Sequence, residues 1–176
     1  MIVALPIPRW QIVAVKAVAL GVALLVILAI TASGAALTLV ALGGQVESIV
    51  TPVDLFLGLL AAWPLVMAFG MISLFLGVFT PDRRTASMIA TVAVIGSYLA
   101  SNLAGMVSSL EAIEGLFLFH FYEATGQALE QGQEPGNMLI LLAVALFAFG
   151  LAVVFFQRRN ITVGAWPWQR GKLPAG

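Results

Sequence analysis

Long apolar runs separated by short polar breaks dominate the chain and set its organisation. The first run extends from Ala17 to Leu42 without a charged residue. As a helix it measures about 39 Å at ~1.5 Å per residue, enough to cross a hydrocarbon core of about 30 Å with tilt. Gly43-Gly44-Gln45 ends it, and Thr51-Pro52-Val53-Asp54 opens the next. Thr51 suits an N-cap, Pro52 the first helical position, and Asp54 the first turn, where a carboxylate complements the helix dipole. The second span runs from about 52 to 79. Pro64 falls inside it and frees the carbonyl near Leu60, which predicts a kink beside Trp63. That kink is either a hinge or a packing accommodation. Thr80-Pro81-Asp82-Arg83-Arg84 is a tight turn that repeats the Thr-Pro cap, so spans two and three are expected to be antiparallel neighbours. The third span covers about 87–107 and the fourth about 137–156. The pattern predicts an all-α membrane protein with four transmembrane helices.

Small residues four apart, Ala17 with Gly21 and Gly34 with Thr38, offer close helix approach in the first span. Gly70, Ser73 and Gly77 mark a similar face in the second. The third span is the least uniformly apolar. Thr91, Tyr98, Asn102, Gly105 and Ser109 recur at spacings that place them on one helical face. Polar groups at that depth should avoid lipid, leaving interhelical hydrogen bonding or a substrate-facing surface as the alternatives. Residues 108–136 break the pattern with Glu111, Glu114, Glu123, Glu130 and Glu134. Within them Leu116 to Tyr122 is too short to span and too aromatic for a solvated loop. An interfacial or re-entrant helix is expected there, with His120 and Tyr122 at headgroup level.

Composition sharpens the class. Of 176 residues 61% are hydrophobic and 9% charged, with a mean hydropathy of +1.07, against about 25% charged in soluble proteins. The run after Lys16 is longer than the roughly 7–15 residues of a signal-peptide core, so a cleaved leader is not expected. The net charge is zero, which gives no reason to expect a nucleic-acid partner. With no cysteine and one histidine, no metal site is expected. Charge placement is the informative part. Arg9, Lys16, Arg83, Arg84, Arg158, Arg159, Arg170 and Lys172 are all the basic residues, and all fall on one side of a four-span arrangement. Of the acids only Asp82 joins them. The positive-inside rule then puts both termini and the Arg83 turn in the cytoplasm, with Arg83, Arg84, Arg158 and Arg159 as the anchor.

The opening stretch, Leu5-Pro6-Ile7-Pro8-Arg9-Trp10-Gln11, lies directly against the first span. Its prolines exclude an uninterrupted helix and predict a short bent element at the membrane surface. An apolar, kinked leader with an arginine and a tryptophan is the kind of surface on which a soluble partner docks. The expected organisation is a coupling or interfacial segment at 1–16, a four-helix membrane domain at 17–157 and a cytoplasmic tail at 158–176. No G-x-x-x-x-G-K-[ST], H-E-x-x-H or G-x-S-x-G motif occurs, so the chain is not expected to be an enzyme. Energy for transport would come from a gradient or from another polypeptide. A four-helix membrane protein with a structural or assembly role would show the same spans and the same charge bias.

The motifs resemble a family. Leu5-Pro6-Ile7-Pro8-Arg9-Trp10 and Lys16 resemble the segment that precedes the third helix of ABC-2 type transporter permeases. Arg83 to Ser87, followed by Ser97 to Ala104, is similar to that family's cytoplasmic turn and fifth helix. Leu116 to Tyr122 resembles its extracellular aromatic segment. Phe155-Phe156-Gln157-Arg158-Arg159-Asn160-Ile161 resembles the end of its last helix, with Asn160 where aspartate is usual. The order agrees over nearly the whole chain. The resemblance implies a permease subunit of an ATP-binding cassette exporter in a prokaryotic inner membrane. It would work with a cytoplasmic ATPase that binds ATP and Mg, and with a second permease copy or half. Leu5, Pro6, Ile7, Pro8, Arg9 and Trp10 would couple to the ATPase, Thr91, Tyr98 and Asn102 would serve the pathway or helix packing, and Pro64 would be the hinge. Because such permeases usually have six spans, two leading helices are expected from a longer parent chain, an earlier start or a separate polypeptide.

Overall fold

The computed structural model describes residues 9–42, 50–104, 117–122 and 134–158. Four stretches in it are long and apolar enough to cross a membrane, and no strand occurs among the described residues. Helix α1 is Arg9–Leu42, α2 is Pro52–Leu60, α3 is Trp63–Phe79, α4 is Arg83–Ala104 and α5 is Pro135–Arg158. A short 3-10 helix, Leu118–Phe121, lies between the last two. Helices α2 and α3 together form the second span.

The start of α1 corrects one expectation. Arg9, Trp10 and Gln11 do not belong to a bent surface element but form the first turn of a 34-residue helix that runs through Lys16 into the span. The prolines explain it, because Pro8 immediately precedes the helix, where a missing N–H costs no intrahelical bond. Residues Leu5 to Pro8 lie outside the described residues, as do Gly105 and Ser109 of the polar stripe. In α1, the exposed Thr31, Ser33 and Thr38 each donate to the carbonyl four residues back at 2.7–2.9 Å, which removes their hydroxyls from lipid.

The second span opens with the expected cap. Thr51 Oγ1 accepts from the Asp54 amide (3.2 Å) and the Asp54 carboxylate accepts from the Thr51 amide (3.3 Å), with Pro52 at the first position. The span then breaks at Ala61–Ala62, where the Ala62 amide donates to the Leu59 carbonyl instead of continuing the α-helical pattern (3.2 Å). The cause is Pro64, which supplies no amide to the Leu60 carbonyl.

The second Thr-Pro works differently from the first. Thr80 does not start a helix but closes α3, its backbone extended (φ −79°, ψ 152°) and its amide and hydroxyl both bonded to the Leu76 carbonyl (2.9 and 2.7 Å). Asp82 caps α4 instead, accepting from the Thr85 amide at 2.7 Å and the Thr85 hydroxyl at 2.8 Å. Those two bonds hold the Asp82 carboxyl below its ordinary range.

Packing is tightest between α3 and α5, and α1 lies along α2 with further contact to α3 and α5. Among the described residues, seven of the eleven buried apolar ones are alanine, so the seams form by close backbone approach rather than by large interdigitated side chains. Leu141, Ala145, Ala148 and Ala152 of α5 are buried along one face. Ala145 and Ala148 cluster with Ala17, Ala68 and Met71. At the basic end Phe155 meets Phe75 and Phe79 edge-on with centroids 5.7 and 5.5 Å apart. Helix α4 stands at the side of this bundle, packed chiefly on α3 and the 3-10 segment.

Candidate functional site

Two regions could serve transport, the outward face of α4 with its groove against α3, and the kinked junction of α1 with α3. On α4 the line Ala86, Ala90, Val94, Ser97 and Ser101 turns toward the bundle. Each of Thr91, Tyr98 and Asn102 follows a member of that line and is exposed. None of the three bonds another described helix; Asn102 Nδ2 donates to the Tyr98 carbonyl of its own helix at 2.8 Å. Of the two alternatives for the stripe, hydrogen bonding between the described helices is therefore not the arrangement seen. Thr91 lies instead in an open groove of about 570 Å³ between α3 and α4, with Ser73 and Ser87 contributing hydroxyls and Arg83 at its end.

The aromatic segment packs against the helices. Phe119 sits against Phe69 of α3 (5.3 Å) and edge-on to Tyr98 of α4 (5.4 Å). Leu118 packs on the central cluster that holds Ala68 and Met71. Those contacts tie the segment to α3 and α4, and Tyr122 ties it to α2. Its hydroxyl donates to the Gly58 carbonyl at 3.4 Å, about 9 Å inside the start of α2 at ~1.5 Å per residue. His120 is exposed and meets the Phe121 ring edge-on at 5.2 Å. Beside Tyr98, Ser97 Oγ is buried with no hydrogen-bond partner among the described residues.

At the kink, Trp63 Nε1 donates to the Gly21 carbonyl of α1 at 3.1 Å. A Cβ at Gly21 would lie 3.0 Å from Met67 Cε, and one at Gly70 would lie 3.0 Å from Leu20 Cδ2. These two glycines let α1 and α3 approach, whereas Gly34 and Gly77 face open space. Pro64 is buried next to this contact. Arg83 and Arg84 are exposed at the start of α4, Arg158 ends α5, and Arg159 lies outside the described residues.

This arrangement, a basic helix start, a broken second span, a side-standing helix and an aromatic segment packed on the helices, runs through the chain in a fixed order. A model for ABC-2 family transporter proteins matches residues 1–161. The chain belongs to the ABC-2 transporter family. No curated protein and no solved structure matches it. As an ABC-2 chain it is a multi-pass membrane protein and a component of transport rather than itself a catalyst. The sequence reading missed Ser73 and Ser87 as groove hydroxyls and Trp63 as a donor to Gly21. The small residues gave a signal for the first pair; nothing local announces the second, because it depends on which glycine faces the indole.

Proposed function

We propose that this ABC-2 chain is the transmembrane permease subunit of an ATP-binding cassette exporter. A separate cytoplasmic ATPase subunit would bind ATP and Mg and supply the energy. The observation that carries the reading is α4. Its polar stripe is exposed in the single chain, and a second permease copy or half lying against it would enclose Thr91, Tyr98, Asn102 and the α3–α4 groove between protomers. Polar side chains at membrane depth favour protein or water over lipid. The basic end is then cytoplasmic, in a prokaryotic inner membrane, with Arg83, Arg84, Arg158 and Arg159 holding the orientation.

The coupling reading of Leu5 to Trp10 gains support from the continuity of α1. Because Arg9 and Trp10 are the first turn of the helix whose Ala17 and Gly21 pack in the core, a push at the first turn is carried along a rigid rod to the kink at Trp63. Pro64 would serve as the hinge there. The test is co-purification of the co-expressed ATPase with the tagged permease, together with ATP hydrolysis. Arg9→Ala and Trp10→Ala are expected to leave membrane insertion intact and to lose the ATPase or its stimulation. A single cysteine at Arg84 should resist an impermeant outside label. Unchanged ATPase association and activity in both variants would overturn the coupling role.

A further inference from the structure

We propose that the cavity at the basic end of the bundle binds the headgroup of an anionic phospholipid. The cavity, of about 410 Å³, opens where α1, α3, α4 and α5 come together. Lys16 of α1 and Arg83 of α4 contribute its positive charge, while Leu74, Val78 and Phe156 give it an apolar wall. The two cations come from different helices, and neither makes an ion pair with a described residue. Asp82 also lines the cavity, but both of its carboxylate oxygens are engaged by Thr85. Thr85 is a neutral partner, so Asp82 keeps its charge, and two cations against one carboxylate leave the lining net positive.

The chemistry selects the occupant. A free phosphate would satisfy the cations and leave the apolar wall unused. The side chains of the flanking segments do not complement the charge: residues 1–8 carry no charged side chain, and residues 159–176 carry Arg159, Arg170 and Lys172 with no Asp or Glu. A phospholipid phosphate between the ammonium and the guanidinium, its acyl chains passing Phe156 into the bilayer, uses every part of the cavity. Basic pockets between membrane helices hold anionic headgroups in this way, and the planar guanidinium pairs two phosphate oxygens at once. The site does not depend on the exporter reading.

The test uses the purified full-length protein in a neutral detergent, with phosphatidylglycerol, phosphatidylcholine and glycerol phosphate as probes. Native mass spectrometry and thermal unfolding are the readouts. Phosphatidylglycerol should be retained in preference to phosphatidylcholine and raise the unfolding temperature further. Lys16→Gln and Arg83→Gln should each weaken its retention about fivefold, from the attraction of one basic residue to anionic lipid, whereas Arg84→Gln should not. Should Arg83→Gln impair folding, Lys16→Gln and Arg83→Lys decide the matter, the first losing retention and the second keeping most of it. Equal retention of the two lipids, or undiminished phosphatidylglycerol in Lys16→Gln, would overturn the proposal. So would stabilisation by glycerol phosphate equal to that by the lipid, which marks a free-anion site. Lipid binding that emerges only after residues 161–176 are deleted would make the tail the occupant instead.

Discussion

Helices α4 and α5 are both long enough to cross the bilayer, yet they are used in opposite ways. Between Leu139 and Phe156 α5 has no polar side chain and buries Leu141, Ala145, Ala148 and Ala152, whereas α4 carries Thr91, Ser97, Tyr98, Ser101 and Asn102 and, among the described residues, buries Ala86 alone. If a membrane helix hides its polar groups from lipid, the more polar α4 should be the better covered. The single chain shows the reverse. Alanine explains α5: Ala145, Ala148 and Ala152 let it settle against α3, and its polarity is irrelevant to that contact. On the proposed reading, cover for α4 comes from a second permease copy or half, and burial inside one chain then does not rank the functional weight of a helix.

The sharpest way to break the comparison is to overfill the α5 seam. Ala148 is 5% exposed and Ala145 4%, and leucine at either forces α3 and α5 apart. The expected loss is about 1–3 kcal/mol for each, seen as a fall in unfolding temperature in detergent. Ala93→Leu on the exposed side of α4 should leave that temperature unchanged. Equal losses in the two helices would mean that α4 is packed as closely as α5.

A smaller effect of a different kind is expected on α4. Thr91→Leu and Asn102→Leu should leave the unfolding of the single chain alone and weaken association between permease copies. An interhelical hydrogen bond in a membrane contributes about 0.6–1.7 kcal/mol, or roughly a 3- to 18-fold change in dimer dissociation. Energy transfer between labelled copies in detergent measures it. A drop in unfolding temperature with association unchanged would show that the stripe works within the chain.

Trp63→Phe tests the α1–α3 contact against the dry α3–α5 seam. The donor to the Gly21 carbonyl goes and the smaller ring gives up part of the indole's packing, so the expected cost is about 0.6 kcal/mol or more. Gly21→Ala should cost more than Gly34→Ala, since only the first has Met67 within 3.0 Å of the new methyl. Unfolding temperatures rank the three.

Much of this was legible in sequence where a local pattern decides the outcome. Thr51-Pro52-Val53-Asp54 carries its capping box in four residues, and Pro64, in the interior of the second apolar run, leaves the Leu60 carbonyl without an amide partner. Apolar length alone gives the spans. Features decided by a distant partner were not legible. Gly21 and Gly34 look alike along the chain, and only Met67 distinguishes them. Thr80-Pro81 repeats Thr51-Pro52, yet Asp82 lies one residue closer than Asp54 does and takes over as cap, leaving Thr80 to close the helix before it. The stripe on α4 was placed on one face by its spacing, but spacing does not say what covers a face. The packing of Phe119 rests on Phe69 and Tyr98, far from it in sequence.

The smallest effect concerns how each helix start is held. Helix α5 is fixed along its length by the α3 seam, whereas α4 has few such contacts and depends more on its own first turn. Asp82 supplies that turn by accepting from the Thr85 amide and hydroxyl. These bonds lower its carboxyl pKa from an ordinary value of 3.8. The sign of the pH effect follows from linkage: a carboxylate with a depressed folded pKa contributes stability that is present above its unfolded pKa and is lost as pH falls through the folded one. The α4 cap should therefore be complete at neutral pH and down to about pH 4, and fade only below it. Hydrogen-exchange protection of the Thr85 and Ala86 amides, compared between the native protein and Asp82→Ala, measures the cap directly. The native chain should be better protected at pH 6, and the difference should close as the pH is lowered past the Asp82 transition. The amides of Asn137 and Met138 at the start of α5 should be unaffected by the substitution at either pH. Equal protection at Thr85 in both proteins at pH 6 would show that α4 is held by tertiary packing after all, and would remove the contrast with α5.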